Sequence, residues 1–346
     1  MALSKIGTPG LESSINTNLT GTVNGFTPTV SNMAGRNLIV NGSMNVWQRG
    51  TSFPYSSFGG AGFCADRFWF YSYGGPTSGN VERSTDVPAN EGFAYSLFNN
   101  TNSAMPSGTN VELTAQGMSA PFSVDKTYTL SFWVKSTSEI NTTVYINWRN
   151  AHADGTNSTP AVATNPSYTI PTTWTRISLS FTLNAAPHAN NRVLDFEYSH
   201  KAGMKITGVQ LEEGSVATPF CPAGGGSYGA ELALCQRYYW QSHEGTKGSP
   251  SGSVIATTGV QGQTSTGMVN GVVGILPVEM RSNGTASIYD WNNTAGVLMR
   301  FDPNSANHTG QSGYAVVRNK RWLFLNSNSG LGASQVGAHI EIEAEL

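Results

Sequence analysis

Charge is what this sequence has least of. Only 12% of its 346 residues are Asp, Glu, Lys or Arg, about half the usual share for a soluble domain. The 19 basic and 21 acidic residues leave a net charge of −2 and are scattered singly, so no basic face exists to neutralise phosphates or hold an anionic membrane. Nucleic acid is therefore excluded as an expected partner. Long apolar runs are missing as well: the best, Val272 to Val278, is interrupted by Gly274 and Pro277 and falls far short of the 18 or more residues a spanning helix needs, which argues against membrane insertion. Residues 1 to 10 contain no apolar core of an export signal, so synthesis in a cytoplasm is expected. Three cysteines, Cys64, Cys221 and Cys235, cannot all pair and match no zinc or redox spacing, so buried thiols are the expectation. The six histidines show no metal-binding spacing, and no Gly-rich phosphate loop stands between a strand and a helix, so no cofactor is indicated.

What is abundant is uncharged polarity. Ser, Thr and Asn account for 103 residues, and 39 Gly and 16 Pro punctuate the chain. These residues favour strands, caps and turns over helices, which points to an all-β fold. Residues 1–36 have low hydrophobicity and no periodic pattern, and read as an extended or disordered attachment arm ordered by a partner. From 37 to 222, runs of β-branched and aromatic residues between turn clusters predict nine strands, at 38–48, 65–73, 93–99, 110–117, 127–136, 142–149, 174–183, 192–199 and 204–212, the number for a jelly-roll β-sandwich.

Alternation is cleanest in four of them, placing Tyr128, Leu130, Phe132 and Val134, then Val144, Ile146 and Trp148, then Ile177, Leu179, Phe181 and Leu183, then Leu194, Phe196 and Tyr198 in the core. Pro219, Pro222 and three glycines from Gly224 mark a boundary, after which 223–346 reads as a second β-rich domain. Ala230 to Gln241 is helix-like, although Tyr238-Tyr239-Trp240 would equally suit a strand, and its apolar surface exceeds what one short element buries on its own domain. The last predicted strand, 337–346, alternates Ile340, Ile342, Ala344 and Leu346 with His339, Glu341, Glu343 and Glu345, the pattern of a strand with one solvated face.

Three patterns invite catalytic readings. Gly225-Gly226-Ser227-Tyr228-Gly229 fits the serine elbow of esterases, but that device needs a parallel sheet alternating with helices. Asp195 and Glu197 share one side of a strand, whereas the paired acids of glycosidases face each other across a groove. Glu212-Glu213 and the loop from Asp154 to Asn157 offer oxygen ligands for Ca²⁺ without the carboxylate density of a tight site. No catalytic set emerges, and a non-enzymatic protein is expected. The residues opposite the four core faces are more informative: Trp133 with Lys135, Tyr145 with Asn147 and Arg149, Trp174 with Arg176, and Asp195 with Glu197. Flat rings stack on the apolar faces of sugars while amide, guanidinium and carboxylate groups take up hydroxyls. Trp133, Tyr145, Asn147, Arg149, Trp174 and Arg176 are accordingly the candidate glycan-binding residues.

The stretch Asn37-Leu38-Ile39-Val40-Asn41-Gly42-Ser43-Met44, with Trp47-Gln48-Arg49-Gly50 and Ala65-Asp66-Arg67-Phe68 after it, resembles the opening of a domain found in tail fibres of tailed bacterial viruses. Tyr128 to Ser136 and Ile206 to Gly214 resemble its middle and closing strand, and the same phrases are similar to jelly-roll carbohydrate-binding modules. Glu231 to Tyr239 and the ending Ala344-Glu345-Leu346 resemble a C-terminal domain that follows in such fibres. The resemblance covers roughly 37–346 and implies a bacteriophage virion protein of the tail, a homotrimer recognising host surface polysaccharide; residues 1–36, which it does not cover, are expected from their composition to join other tail or baseplate proteins. A capsid-attached fibre or decoration protein and a glycan-cleaving tailspike or esterase are the alternatives. An extracellular bacterial sugar-binding module is disfavoured by the lack of an export signal.

Overall fold

The computed structural model describes residues 36–56, 62–72, 78–101, 110–115, 125–143, 145–149, 158–160, 167–183, 193–199, 203–246, 249–251, 270–290, 292–301, 311–327 and 335–345. The expected N-terminal arm (except Arg36) and the 154–157 loop lie outside these residues.

The chain is all-β. In its first part the strands are β1 (Ser52–Ser56), β2 (Gly62–Phe63), β3 (Phe68–Ser72), β4 (Ser78–Ser84), β5 (Ser96–Thr101), β6 (Asn110–Ala115), β7 (Thr127–Ser136), β8 (Ile140–Thr143), β9 (Tyr145–Arg149), β10 (Ser158–Pro160), β11 (Ser167–Ile170), β12 (Thr175–Thr182), β13 (Val193–Ser199) and β14 (Met204–Glu213). They form two six-stranded antiparallel sheets, β1-β4-β5-β14-β7-β12 and β10-β9-β13-β6-β3-β2, with a small β11-β8 pair. The sheets face each other over one apolar cluster. Leu130, Phe132, Val134, Ile177, Leu179, Ile206 and Leu211 come from the first sheet and Phe68 and Phe70 from the second. Rings of Tyr55 and Phe70 meet across the gap, 5.0 Å between centroids. The core faces expected for β7 and β12 are those buried, and this is the sandwich of a jelly roll.

After the glycine-rich turn, helix α1 (Tyr228–Gln236) is followed by β15 (Tyr239–Gln241), so both readings of 230–241 hold, in succession. The remaining strands are β16 (Glu244–Thr246), β17 (Ser249–Ser251), β18 (Asn270–Ile275), β19 (Thr285–Tyr289), β20 (Val297–Phe301), β21 (Gln311–Arg318), β22 (Trp322–Ser327), β23 (Gln335–Gly337) and β24 (His339–Glu343). They build a sheet β15-β24-β19, a five-stranded sheet β18-β22-β21-β20-β23 and a β16-β17 hairpin. A second cluster, including Leu276, Met280, Ile288, Leu298, Val317, Leu323, Ile340 and Ile342, fills the space between the two larger sheets.

Two expectations are corrected here. Residues 38–48 do not form a strand: Asn41 and Met44 take left-handed backbone angles, φ 62° and 56°, and the segment turns back on itself. The Asn41 amide secures the turn, donating to the carbonyls of Val46 and Asp66 while its oxygen accepts from Val46 N–H. β24 is not solvated on its polar face, since His339 and Glu341 are as buried as Ile340 and Ile342. Alternation registers polarity; here the polar side is covered by other elements and carries ion pairs.

Candidate functional site

The phrases that carry the family resemblance converge on one buried joint. Arg49 donates to Asp66 Oδ1 at 3.2 Å and to Glu345 Oε1 at 3.1 Å, and Arg67 pairs with the other oxygen of Glu345. The Arg49 guanidinium lies 3.7 Å from the ring centroid of Tyr239, and that of Arg67 3.4 Å from Tyr238. Planar guanidinium groups satisfy carboxylates and stack on rings at once, which is why arginine rather than lysine suits these places. Burial pushes the Asp66 carboxyl up despite the pull of Arg49 and the hydrogen bonds from Gln48. Glu231 on α1 accepts from the backbone N–H of Asn41 and of Gly224, tying the helix to the opening turn. The joint is structural: its charged groups are consumed by one another. Cys64, Cys221 and Cys235 are buried and form no disulfide, and burial pushes the Cys64 thiol up to about 12.

The apolar surface expected at 230–241 is covered within the chain. Tyr238 and Tyr239 are buried within one chain by the arginines of the sandwich, Trp240 packs on the second apolar cluster, and Leu232 and Leu234 are half-buried. The apolar excess on this element is covered by the other half of its own chain.

The six expected glycan-binding residues divide between two sheets. Trp133 and Arg176 are direct cross-strand partners in the first sheet, and Trp174 immediately precedes β12. Tyr145, Asn147 and Arg149 lie on β9, in the second sheet. These three are thus on another layer from Trp133, because the eight residues between β7 and β9 carry the chain from one sheet to the other. Arg176 is also spent, donating to Ser131 Oγ and to the Thr218 carbonyl. Trp133 is half-buried beside the left-handed Gly208, where an added Cβ would meet its ring at 3.0 Å and that of Phe93 at 2.6 Å. Trp174 donates its indole N–H to Asp86 Oδ1 at 2.9 Å.

The second sheet offers a different arrangement. Its register sets Tyr145, Glu197, Glu112 and Tyr71 in one cross-strand row and Asn147, Asp195, Thr114 and Trp69 in the next. The row between them contains Phe70 and the row beyond them Phe68, both fully buried in the core. Trp69, Tyr71, Glu112 and Thr114 were not singled out from the sequence. Trp69 is visible there only as the odd residue of Phe68-Trp69-Phe70, and no local signal pairs that strand with β6. Glu112 and Glu197 stand directly opposite each other, an arrangement that costs stability in a bare sheet.

The serine-elbow pattern lacks the strand that it needs. Ser227 follows a turn, not a strand, and precedes α1 as an exposed N-cap with no side-chain capping bond. Glu212 is buried and held below the usual carboxylate range: burial opposes ionisation, but hydrogen bonds from Thr218, Arg36 and Gln210 outweigh it. Glu213 is exposed and pairs with Lys126, so the two carboxylates diverge. Among the described residues no group of three or more His, Cys, Asp or Glu could hold a metal ion, and no helix is long and apolar enough to cross a membrane.

Residues 96–202 match the model of a carbohydrate-binding domain family, a stretch running from β5 to just before β14. The sequence matches no curated protein. Among solved structures, the chain is similar to a CBM22-1 xylan-binding domain from Paenibacillus barcinonensis, with 13% identity, 53% of this chain and 98% of that one covered, and a TM-score of 0.30. It is similar to the CBM22-1–CBM22-2 tandem of the same organism over 90% of this chain and 91% of that one, with 12% identity and a TM-score of 0.33. A third, the enzymatically active domain of tailspike protein 4 of bacteriophage CBA120, shares 19% identity over 51% of this chain and 21% of that one, with a TM-score of 0.29.

Proposed function

We propose that this chain is a non-enzymatic glycan-recognition protein of a tailed bacterial virus, a tail fibre whose sandwich presents the outward face of its second sheet to host surface polysaccharide. The observation that carries the reading is the pair of rows Tyr145–Glu197–Glu112–Tyr71 and Asn147–Asp195–Thr114–Trp69. At roughly 4.8 Å per strand each row runs about 14 Å, the first with a tyrosine at either end and the second with Trp69 at one end and Asn147 at the other. Glu112 opposite Glu197 is a cost that sugar hydroxyls, which can donate to both carboxylates, would offset. The match of residues 96–202 to a carbohydrate-binding domain supports the same ligand class, and the resemblance of the opening and closing phrases to tail-fibre domains supports the virion setting.

The homotrimer of that reading needs a surface other than 230–241. The five-stranded sheet of the second half supplies one, with Ile275 and Trp322 as cross-strand neighbours, 57% and 41% exposed, and Tyr314 on the adjoining strand 42% exposed. The test of the glycan reading is titration of the full chain with neutral oligosaccharides from host surface polysaccharide. Tyr145→Ala and Trp69→Ala should each weaken binding about tenfold, near the 1.4 kcal/mol of a stacking contact, with the melting temperature checked in parallel. Unchanged affinity in Tyr145→Ala, with the fold intact, refutes the assignment of this face.

A further inference from the structure

At the far end of the first sheet, three elements bring charges to one point. Asp86 lies between β4 and β5, Lys135 near the end of β7 and Lys205 near the start of β14, and the two lysines are register partners. Both ammonium groups stand 2.6 Å from the same oxygen of Asp86, while the Trp174 N–H takes the other. The Lys135 head also lies 5.7 Å from the Trp174 ring centroid, and the Lys205 head 4.6 Å from that of Phe98. These charges open on a cavity of about 250 Å³ lined by Asp86, Lys135, Lys205, Thr137, Thr172 and the Ser136–Gly203 floor, where Ser136 Oγ donates to the Gly203 carbonyl.

Two ammonium groups on one carboxylate leave an excess positive charge. Each ammonium has three donors and spends one on Asp86, so both keep N–H groups for a ligand. Asp86 braces two heads that would otherwise repel. Although its partial burial opposes ionisation, the hydrogen bonds from Lys135, Lys205 and Trp174 hold it far below the ordinary carboxylate range, so the brace survives in acid. Size narrows the ligand: at ~30 Å³ per water the cavity has room for about eight waters, more than a bare inorganic anion fills, yet it falls below the roughly 300–1,000 Å³ of sites that enclose larger ligands. The threonine hydroxyls add neutral partners of the kind a sugar uses.

We infer that this cavity is a binding site for a single sugar residue bearing a carboxylate, a uronic acid within an acidic polysaccharide. It lies on the first sheet, apart from the second-sheet face of the proposed function, and it stands whether or not that face binds glycan. The test is calorimetric titration of the full chain with trigalacturonate, neutral galactotriose and inorganic phosphate, using Lys135→Met, Lys205→Met and Tyr145→Ala. Trigalacturonate should bind the parent protein, lose tenfold or more in affinity in either lysine variant, and be unaffected by Tyr145→Ala. Equal affinity of the lysine variants and the parent for trigalacturonate overturns the inference, as does phosphate binding as tightly as trigalacturonate, the mark of a general anion site. Loss of trigalacturonate binding in the lysine variants alone, with galactotriose unmoved by Tyr145→Ala, upholds this site and removes the second-sheet reading instead.

Discussion

Arg49 joins two halves of the chain that, among the described residues, share no sheet. Its guanidinium is about 1% exposed, stacked between Phe63 and Tyr239, and it serves Asp66 from the sandwich and Glu345 from the C-terminal half. Removing one partner of such a group leaves the others buried and uncompensated, a cost of about 3–5 kcal/mol, whereas removing a charge from each side can be nearly neutral. Arg49→Met should therefore lower the denaturant midpoint of the full chain sharply, and adding Asp66→Asn should restore part of the loss. A double variant no more stable than Arg49→Met would mean that the ring stacking, not the ion pair, holds the joint.

Among the elements, the opening segment depends on close backbone fit as well as on the Asn41 amide. Leu38 N–H donates to the Leu211 carbonyl and Val209 N–H to the Gly42 carbonyl, bringing Gly42 so close to β14 that an added Cβ would lie 2.0 Å from the Val209 oxygen. Gly42→Ala should consequently destabilise the sandwich by about 1–3 kcal/mol or more, as overpacking does, measurable by chemical denaturation. Strands such as β7 and β12 were legible in the sequence because their two sides differ in polarity, and Leu130, Phe132, Ile177 and Leu179 are buried where alternation puts them. The opening turn was not, because Leu38-Ile39-Val40 carries strand propensity while one left-handed Asn41 decides the path. The candidate site was half legible: parity placed Tyr145 and Asn147 off the core, but which sheet a strand joins depends on partners far along the chain. Trp69 and Glu112 join their rows only through β6, which pairs with both β3 and β13.

Taken whole, the molecule keeps an acid-sensitive point in its C-terminal half. His339 on β24 and the buried His243 stack edge to face at 5.3 Å, with Glu341 Oε1 3.4 Å from His243 Nε2. Burial, reinforced by the neighbouring His243, lowers the His339 pKa, and Asp290 only partly opposes this. The native state thus favours the neutral ring while the unfolded chain takes up a proton near pH ~6.5. Stability is complete above that value and falls as pH drops through it towards the lower native one. The urea midpoint should decline between pH 7.5 and 5, and His339→Gln should flatten the decline; an unchanged slope in that variant would assign the sensitivity elsewhere. The joint at Arg49 also has a consequence in time. Glu345 lies 296 residues beyond its partner, so at about 5–20 residues per second a ribosome needs roughly 15–60 s after adding Arg49 before it supplies the matching carboxylate. Through that interval the sandwich must wait with two arginines lacking their last counter-charge, and the two halves of the chain lock only once Glu345 has been added.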